Sequence, residues 1–191
     1  MSKLREAFEK GEFAITAEMA PPKGTDLSHL AECAKLVIGR VHAANVTDNQ
    51  SAVMRTSSLA TCKMLKDLGL EPVIQMTGRD RNRIAIESEM LSAGFFGIDN
   101  LLALTGDHVC VGDHKQAKPV FDLDAVSILS TATMMNNGTD STGLELKGKT
   151  DFFLGACVTP EYDPIEVQLL KMEKKIKAGA RFFQTQAVYD I

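Results

Sequence analysis

The sequence predicts an α/β fold, a parallel (β/α)8 TIM barrel of which this chain carries the first six strands. Three observations predict it. Short β-like apolar runs recur about every 28 residues. Helix-like segments fill the gaps between them, which is the signature of βαβ units and a parallel sheet. Polar residues gather at the C-terminal end of each run, where a barrel builds a site shared among its loops.

The runs are 13–20 (FAITAEMA), 42–48 (HAANVTD), 71–78 (EPVIQMTG) and 99–107 (DNLLALTGD). After a longer gap come 152–160 (FFLGACVTP) and 180–189 (ARFFQTQAVY). Between them lie helix-like segments at 27–39, 53–69, 79–94, 122–136 and 164–179. In the last, Ile165, Leu169, Met172 and Ile176 fall on one helix face. Asp163-Pro164 marks its start and Gly179 its stop. The polar strand ends are Glu18, then Thr47 and Asp48, then Gln75 and Thr77. Thr105 and Asp107, Thr159 and Glu161, and Gln184 and Gln186 follow. An open doubly wound sheet is the competing architecture. It usually carries a phosphate fingerprint after its first strand, and here that strand ends in Met19-Ala20-Pro21-Pro22, with neither GxGxxG nor a Walker loop.

The 191 residues are expected to form a single barrel domain, 1–191, that lacks the last two strand-helix units. Six strands would leave two bare edges, so the chain is expected to associate as an oligomer. A net charge of −4 removes any prior for nucleic-acid binding. No apolar stretch approaches the length of a membrane span. The charged start, MSKLREAFEKGEF, is no secretory signal. Cys33, Cys62, Cys110 and Cys157 are widely spaced, so a reducing, cytoplasmic setting is expected.

Several residues are suited to chemistry. Glu18 stands in an otherwise apolar strand, and a partly buried carboxyl there has the raised pKa a general acid needs. A Glu that pairs with a nearby cation and holds a loop fits equally well. In Thr105-Gly106-Asp107, Gly lets a ligand approach and Asp can tune it; an Asp capping a turn is the alternative. His108, Cys110, Asp113 and His114 match no standard zinc spacing, so no metal site is expected. Arg79, Asp80, Arg81 and Arg83 begin the third interstrand helix and suit either a phosphate or, more simply, a solvated charged face. The run Lys171, Lys174, Lys175, Lys177 reads as a solvated helix face from which one lysine can reach a phosphate.

The ordered motifs resemble one family. Glu18-Met19-Ala20-Pro21-Pro22-Lys23 resembles the opening of methylenetetrahydrofolate reductases. Val46-Thr47 resembles their second-strand end, Leu104-Thr105-Gly106-Asp107 their Gly-Asp motif and Pro160-Glu161 the Pro-Glu after strand five. Ala178-Gly179-Ala180, Thr185-Gln186 and Asp190 resemble the region around strand six. Asp48-Asn49-Gln50 and Arg79-Asp80-Arg81-Asn82-Arg83 are most similar to the short prokaryotic branch found in anaerobes. The resemblance implies a flavin-dependent barrel, with FAD or FMN, that reduces 5,10-methylenetetrahydrofolate to 5-methyltetrahydrofolate in one-carbon metabolism and methionine biosynthesis. It implies that Glu18 is the general acid and that flavin N5 donates the hydride. Asp107 would tune the flavin and stabilise the cationic substrate, and Gln186 would bind the folate. Thr47, Gln75, Thr105 and Thr159 would line the flavin, with Gln168 and Lys175 toward its ribose and phosphates.

Where the family commonly has Arg, His and Tyr, this chain has Thr105, Gln75 and Thr159, and its Phe-rich stretch is replaced by Ala187-Val188-Tyr189. These changes bear on the electron donor, either NAD(P)H or a redox partner protein. They keep a second reading open: a flavin-binding electron-transfer or docking subunit of a larger redox complex. A flavin-free folate barrel for methyl transfer is a third, against which the lack of a corrinoid or zinc-thiolate motif counts.

Overall fold

The computed structural model describes residues 1–189, so Asp190 lies outside the described residues. Six strands form one parallel sheet in chain order: β1 Thr16–Met19, β2 Ala43–Val46, β3 Pro72–Thr77, β4 Asn100–Leu104, β5 Phe153–Val158 and β6 Phe182–Thr185. Five helices follow their strands: α2 Ser28–Val37, α3 Ser58–Asp67, α4 Arg83–Phe95, α5 Ala125–Asn136 and α6 Ile165–Lys177. The sheet is a partial (β/α) barrel with β1 and β6 as its edges. Among the described residues no helix is long and apolar enough to cross a membrane.

Side-chain alternation splits the core in two. Residues facing the helices, among them Met19, Val46, Ile74, Met76, Leu101, Ala103, Leu154 and Ala156, join helix residues such as Leu65, Ile86, Met90 and Ile128 in a large outer cluster. Residues facing the barrel interior form a smaller cluster of Ala43, Val73, Leu102, Phe153 and Phe182. Gly155 makes that inner layer possible, since a Cβ there would stand 2.2 Å from the Phe182 ring. The Phe153 and Phe182 rings stack with centroids 5.0 Å apart.

A helix precedes β1 that the strand-spacing argument did not predict: α1, Lys3–Lys10. Its signals are short-range. Ser2 caps it, accepting a hydrogen bond from the Arg5 amide, and Leu4 and Ala7 present one apolar face. That face closes the N-terminal end of the barrel, with Leu4 in the inner cluster and Phe8 5.7 Å from Phe153. The Glu71 carboxylate accepts from the first free amides of α1, at Lys3 (2.6 Å) and Leu4 (3.2 Å), where the helix dipole favours an anion.

The apolar face of α6 is largely uncovered. Ile165, Leu169 and Ile176 are exposed, Met172 is half-buried and Gln168 is buried. A helix at the flank of a barrel turns one narrow stripe to the sheet and shares the rest with neighbouring helices; α6 packs on β5 and, on one side, α5. Helix-like sequence at 53–57 is also not helical: α3 begins at Ser58, capped by the Ser57 hydroxyl, which accepts from the Ala60 amide.

Candidate functional site

A cavity of about 870 Å³ opens at the C-terminal ends of the strands. Its position follows from the same alternation that builds the inner core. Toward the N-terminal ends the inward residues are mostly apolar, with Asn100 bonded to Ser2 and Glu71; toward the C-terminal ends they become Glu18, Thr47, Gln75, Thr77, Cys157 and Gln184, with Leu104 among them. Of the residues singled out in the sequence, Glu18, Thr47, Gln75, Thr105, Asp107, Thr159 and Gln186 line this one cavity.

Gln168 and Lys175 do not line it. Both lie on α6, outside the sheet; Gln168 is buried there, and the Lys175 amine donates to the Cys157 carbonyl. Burial pushes the Lys175 amine below its ordinary pKa. The lysine of α6 on the cavity wall is Lys171, whose Nζ stands 5.8 Å over the Tyr162 ring.

Glu18 is not sheltered as expected. It is exposed, because it lies on β1, an edge strand of the sheet. Asp107 is exposed as well, on the loop after β4. Gly106 precedes it with φ +91°, and a Cβ there would press on the Thr77 and Arg79 side chains at 3.1 and 3.2 Å. The Thr105 hydroxyl accepts from the Ala125 amide at 3.2 Å, tying the same loop to the start of α5.

Strand β2 and the residue that follows it bring two buried polar side chains, each with an atom that lacks a partner. Thr47 is 3% exposed, and its Oγ1 has no hydrogen bond. Asn45, also 3% exposed, donates from Nδ2 to Thr16 Oγ1 while its Oδ1 has no partner. Unpaired buried groups of this kind cost about 1–3 kcal/mol each, which a polar ligand or water can restore. Asn45 escaped the sequence reading; its only signal is a lone amide inside an apolar run.

The loops around the cavity are pinned by buried charge. Asp48, 5% exposed, accepts at Oδ2 from the Thr77 amide (2.8 Å), the Thr77 hydroxyl (2.9 Å) and Arg81. Arg81 also pairs with Glu89, whose carboxyl is pushed up by burial despite that partner. Arg79 is 2% exposed and forks onto Asp80, Nε to Oδ1 at 2.8 Å and Nη2 to Oδ2 at 2.7 Å. That guanidinium holds the Asp80 carboxyl below the usual range. The solvated charged face expected for Arg79 and Arg81 is therefore absent, because both turn inward to carboxylates. Arg83 does remain at the surface, paired with Asp122.

Around the loop at 108–114, His108 accepts from the Cys110 amide and Asp113 pairs with Lys23 and His114. Among the described residues no group of three or more His, Cys, Asp or Glu could hold a metal ion. What the cavity offers is two accessible carboxyl groups, several amides and hydroxyls, and one lysine at its wall. That set suits a flat, polar heterocycle and proton transfer to it.

A family model described as methylenetetrahydrofolate reductase matches residues 3–191. No curated protein matches significantly. Among solved structures, the trigonal crystal form of 2,3-dimethylmalate lyase, a PEP mutase/isocitrate lyase superfamily member, matches with a TM-score of 0.63 at 12% identity. Its triclinic form matches with a TM-score of 0.61, also at 12% identity. These alignments cover 98% and 97% of this chain, which spans 63% and 64% of theirs. At that identity the likeness is one of fold.

Proposed function

The chain belongs to the methylenetetrahydrofolate reductase family, and from that premise we propose that it performs the flavin-dependent reduction of 5,10-methylenetetrahydrofolate to 5-methyltetrahydrofolate. The observation that carries the reading is a single cavity gathering Glu18, Asp107 and Gln186 at the polar strand ends. The residues present fit a flavin. Its volume lies within the range of about 300–1,000 Å³ typical of small-molecule sites. The unpartnered Thr47 hydroxyl and the Gln75 amide are the kind of groups a flavin ring's polar edge satisfies.

We assign the ring of FAD, or of FMN, to Thr47, Gln75, Thr105, Asp107 and Thr159, and the cationic contact to Lys171. When bound and reduced, the flavin supplies the hydride. Glu18, as a carboxylic acid, donates a proton to the departing nitrogen of the imidazolidine ring, which opens to the 5-iminium cation. Substrate seated against Glu18 shields the carboxyl from bulk water during the proton transfer. Asp107, an anion beside the cation, stabilises it, and the Gln186 amide holds the pterin. The reductant is NAD(P)H or a redox partner protein, and the setting is cytoplasmic.

The test is an anaerobic visible spectrum of the purified protein before and after adding 5-methyltetrahydrofolate. Flavin bands that bleach are expected. Bands indifferent to the folate would move the chain to an electron-transfer or docking subunit of a larger redox complex. A protein that takes up no flavin would overturn the assignment.

A further inference from the structure

Arg79 occupies a position that the proposed chemistry does not explain. Its side chain is 2% exposed, yet it borders the cavity mouth. The guanidinium spends its donors on three loops. Besides the fork onto Asp80 after β3, Nη2 donates to the Asn49 carbonyl after β2 at 3.1 Å. Nη1 donates to the Asp107 carbonyl after β4 at 3.3 Å. Asp80 in turn accepts from Asn49 Nδ2 at 3.3 Å, closing the circuit.

Both loops it holds carry unusual backbone. Asn49, Ser51 and Ala52 have φ of +45°, +56° and +57°, a left-handed conformation that non-glycine residues adopt at a cost. On the other side, Gly106 precedes Asp107 at φ +91°, and a Cβ there would stand 3.2 Å from the Arg79 Cβ. The Asp107 carboxylate is exposed, so its direction is set by the main chain that carries it, and Arg79 holds that main chain at the Asp107 carbonyl. We propose that Arg79 is the positioning residue for Asp107: its planar fork clamps the β2 and β4 loops together and sets the direction of the Asp107 carboxylate in the cavity. The role rests on the folate-reductase reading for its consequence, but the clamp itself does not.

Arginine is required for the task. A lysine has no planar fork, so it can satisfy Asp80 or a carbonyl but not both loops in fixed geometry. Displacing a reacting group by about 1 Å costs on the order of a hundredfold in rate.

The experiment compares Arg79→Lys, Arg79→Gln and Asp80→Asn with the parent, each alone and combined with Asp107→Asn. Without any ligand, amide hydrogen exchange is read over 48–52 and 105–112, with the melting temperature as control. Faster exchange in both segments, exceeding any change across β5 at 153–158, is the expected result. Unchanged exchange in folded variants overturns the clamp, whether or not the protein reduces folates. Asp80→Asn, at a partly exposed position, serves if the Arg79 variants do not fold. In the flavin-loaded enzyme, kcat should fall about a hundredfold with KM nearly constant, and Asp107→Asn should hide that loss. Losses that multiply with Asp107→Asn would overturn positioning through Asp107. A parent that reduces no folate would refute the functional reading while the exchange result still decides the clamp.

Discussion

The two ends of the barrel are made from the same six strands and solve opposite problems. At the N-terminal end, Leu4, Val73, Leu102, Phe153 and Phe182 fill the interior, and α1 covers them. At the C-terminal end, most inward positions are polar, the Thr47 hydroxyl has no partner, and a cavity remains. One end gains stability from apolar burial and the other gives some of it up. Residues two apart on one strand face the same way, so the change from Val73 to Gln75 and Thr77 is a change of height in the barrel, not of face. Stability and function are thus separable along a single strand.

That separation can be broken, and the largest effect should come at the polar end. Glu18→Gln is expected to lower kcat by about 10²–10⁴-fold, with unfolding free energy changed by less than about 0.5 kcal/mol. Steady-state rates beside denaturant titrations check both halves; a strongly destabilised Gln variant would mean the two ends are not separable. Phe153→Ala, at the packed end, should cost about 3–5 kcal/mol in the same titration. Gly155→Ala drives a methyl toward the Phe182 ring and should cost about 1–3 kcal/mol through overpacking.

Thr47→Val sharpens the comparison in the other direction. It removes a buried hydroxyl without a partner, so stability should hold or rise by up to about 1–2 kcal/mol, while flavin affinity read by fluorescence quenching falls. The smallest effect is electrostatic. Arg83 and its own amide hold the Asp122 carboxyl down to about 2. Its folded pKa lies below the unfolded value of about 3.9, so the contribution is present above about pH 4 and lost as pH falls toward 2. Exchange of the first amides of α4 should accelerate in that window, less so in Asp122→Asn.

Much of this arrangement was legible in the chain. The six strands and their order followed from the spacing of apolar runs, since a βαβ unit has a nearly constant length. The polar strand ends placed seven candidate residues in one cavity, because every parallel strand ends on the same side of the sheet. Helix faces were less legible. The apolar spacing of Ile165, Leu169 and Ile176 is real, but periodicity does not say which neighbour covers a face. α1 went unseen because it precedes the first strand and so falls outside the strand-to-strand spacing, although Ser2 and Leu4 mark its start.

By itself, then, the sequence determined the element order, the parallel sheet and the height at which the barrel turns polar. These depend on local spacing and on the two-residue repeat of a strand. Only the tertiary structure decided what the charges do. Arg79 and Arg81 read as solvent-facing in a charged stretch, yet both are drawn inward onto Asp80, Asp48 and Glu89. Glu18, set in an apolar strand, is exposed, while Thr47, at a strand end, is buried. Burial and pairing of a polar group depend on residues distant in sequence, which periodicity within one element does not encode.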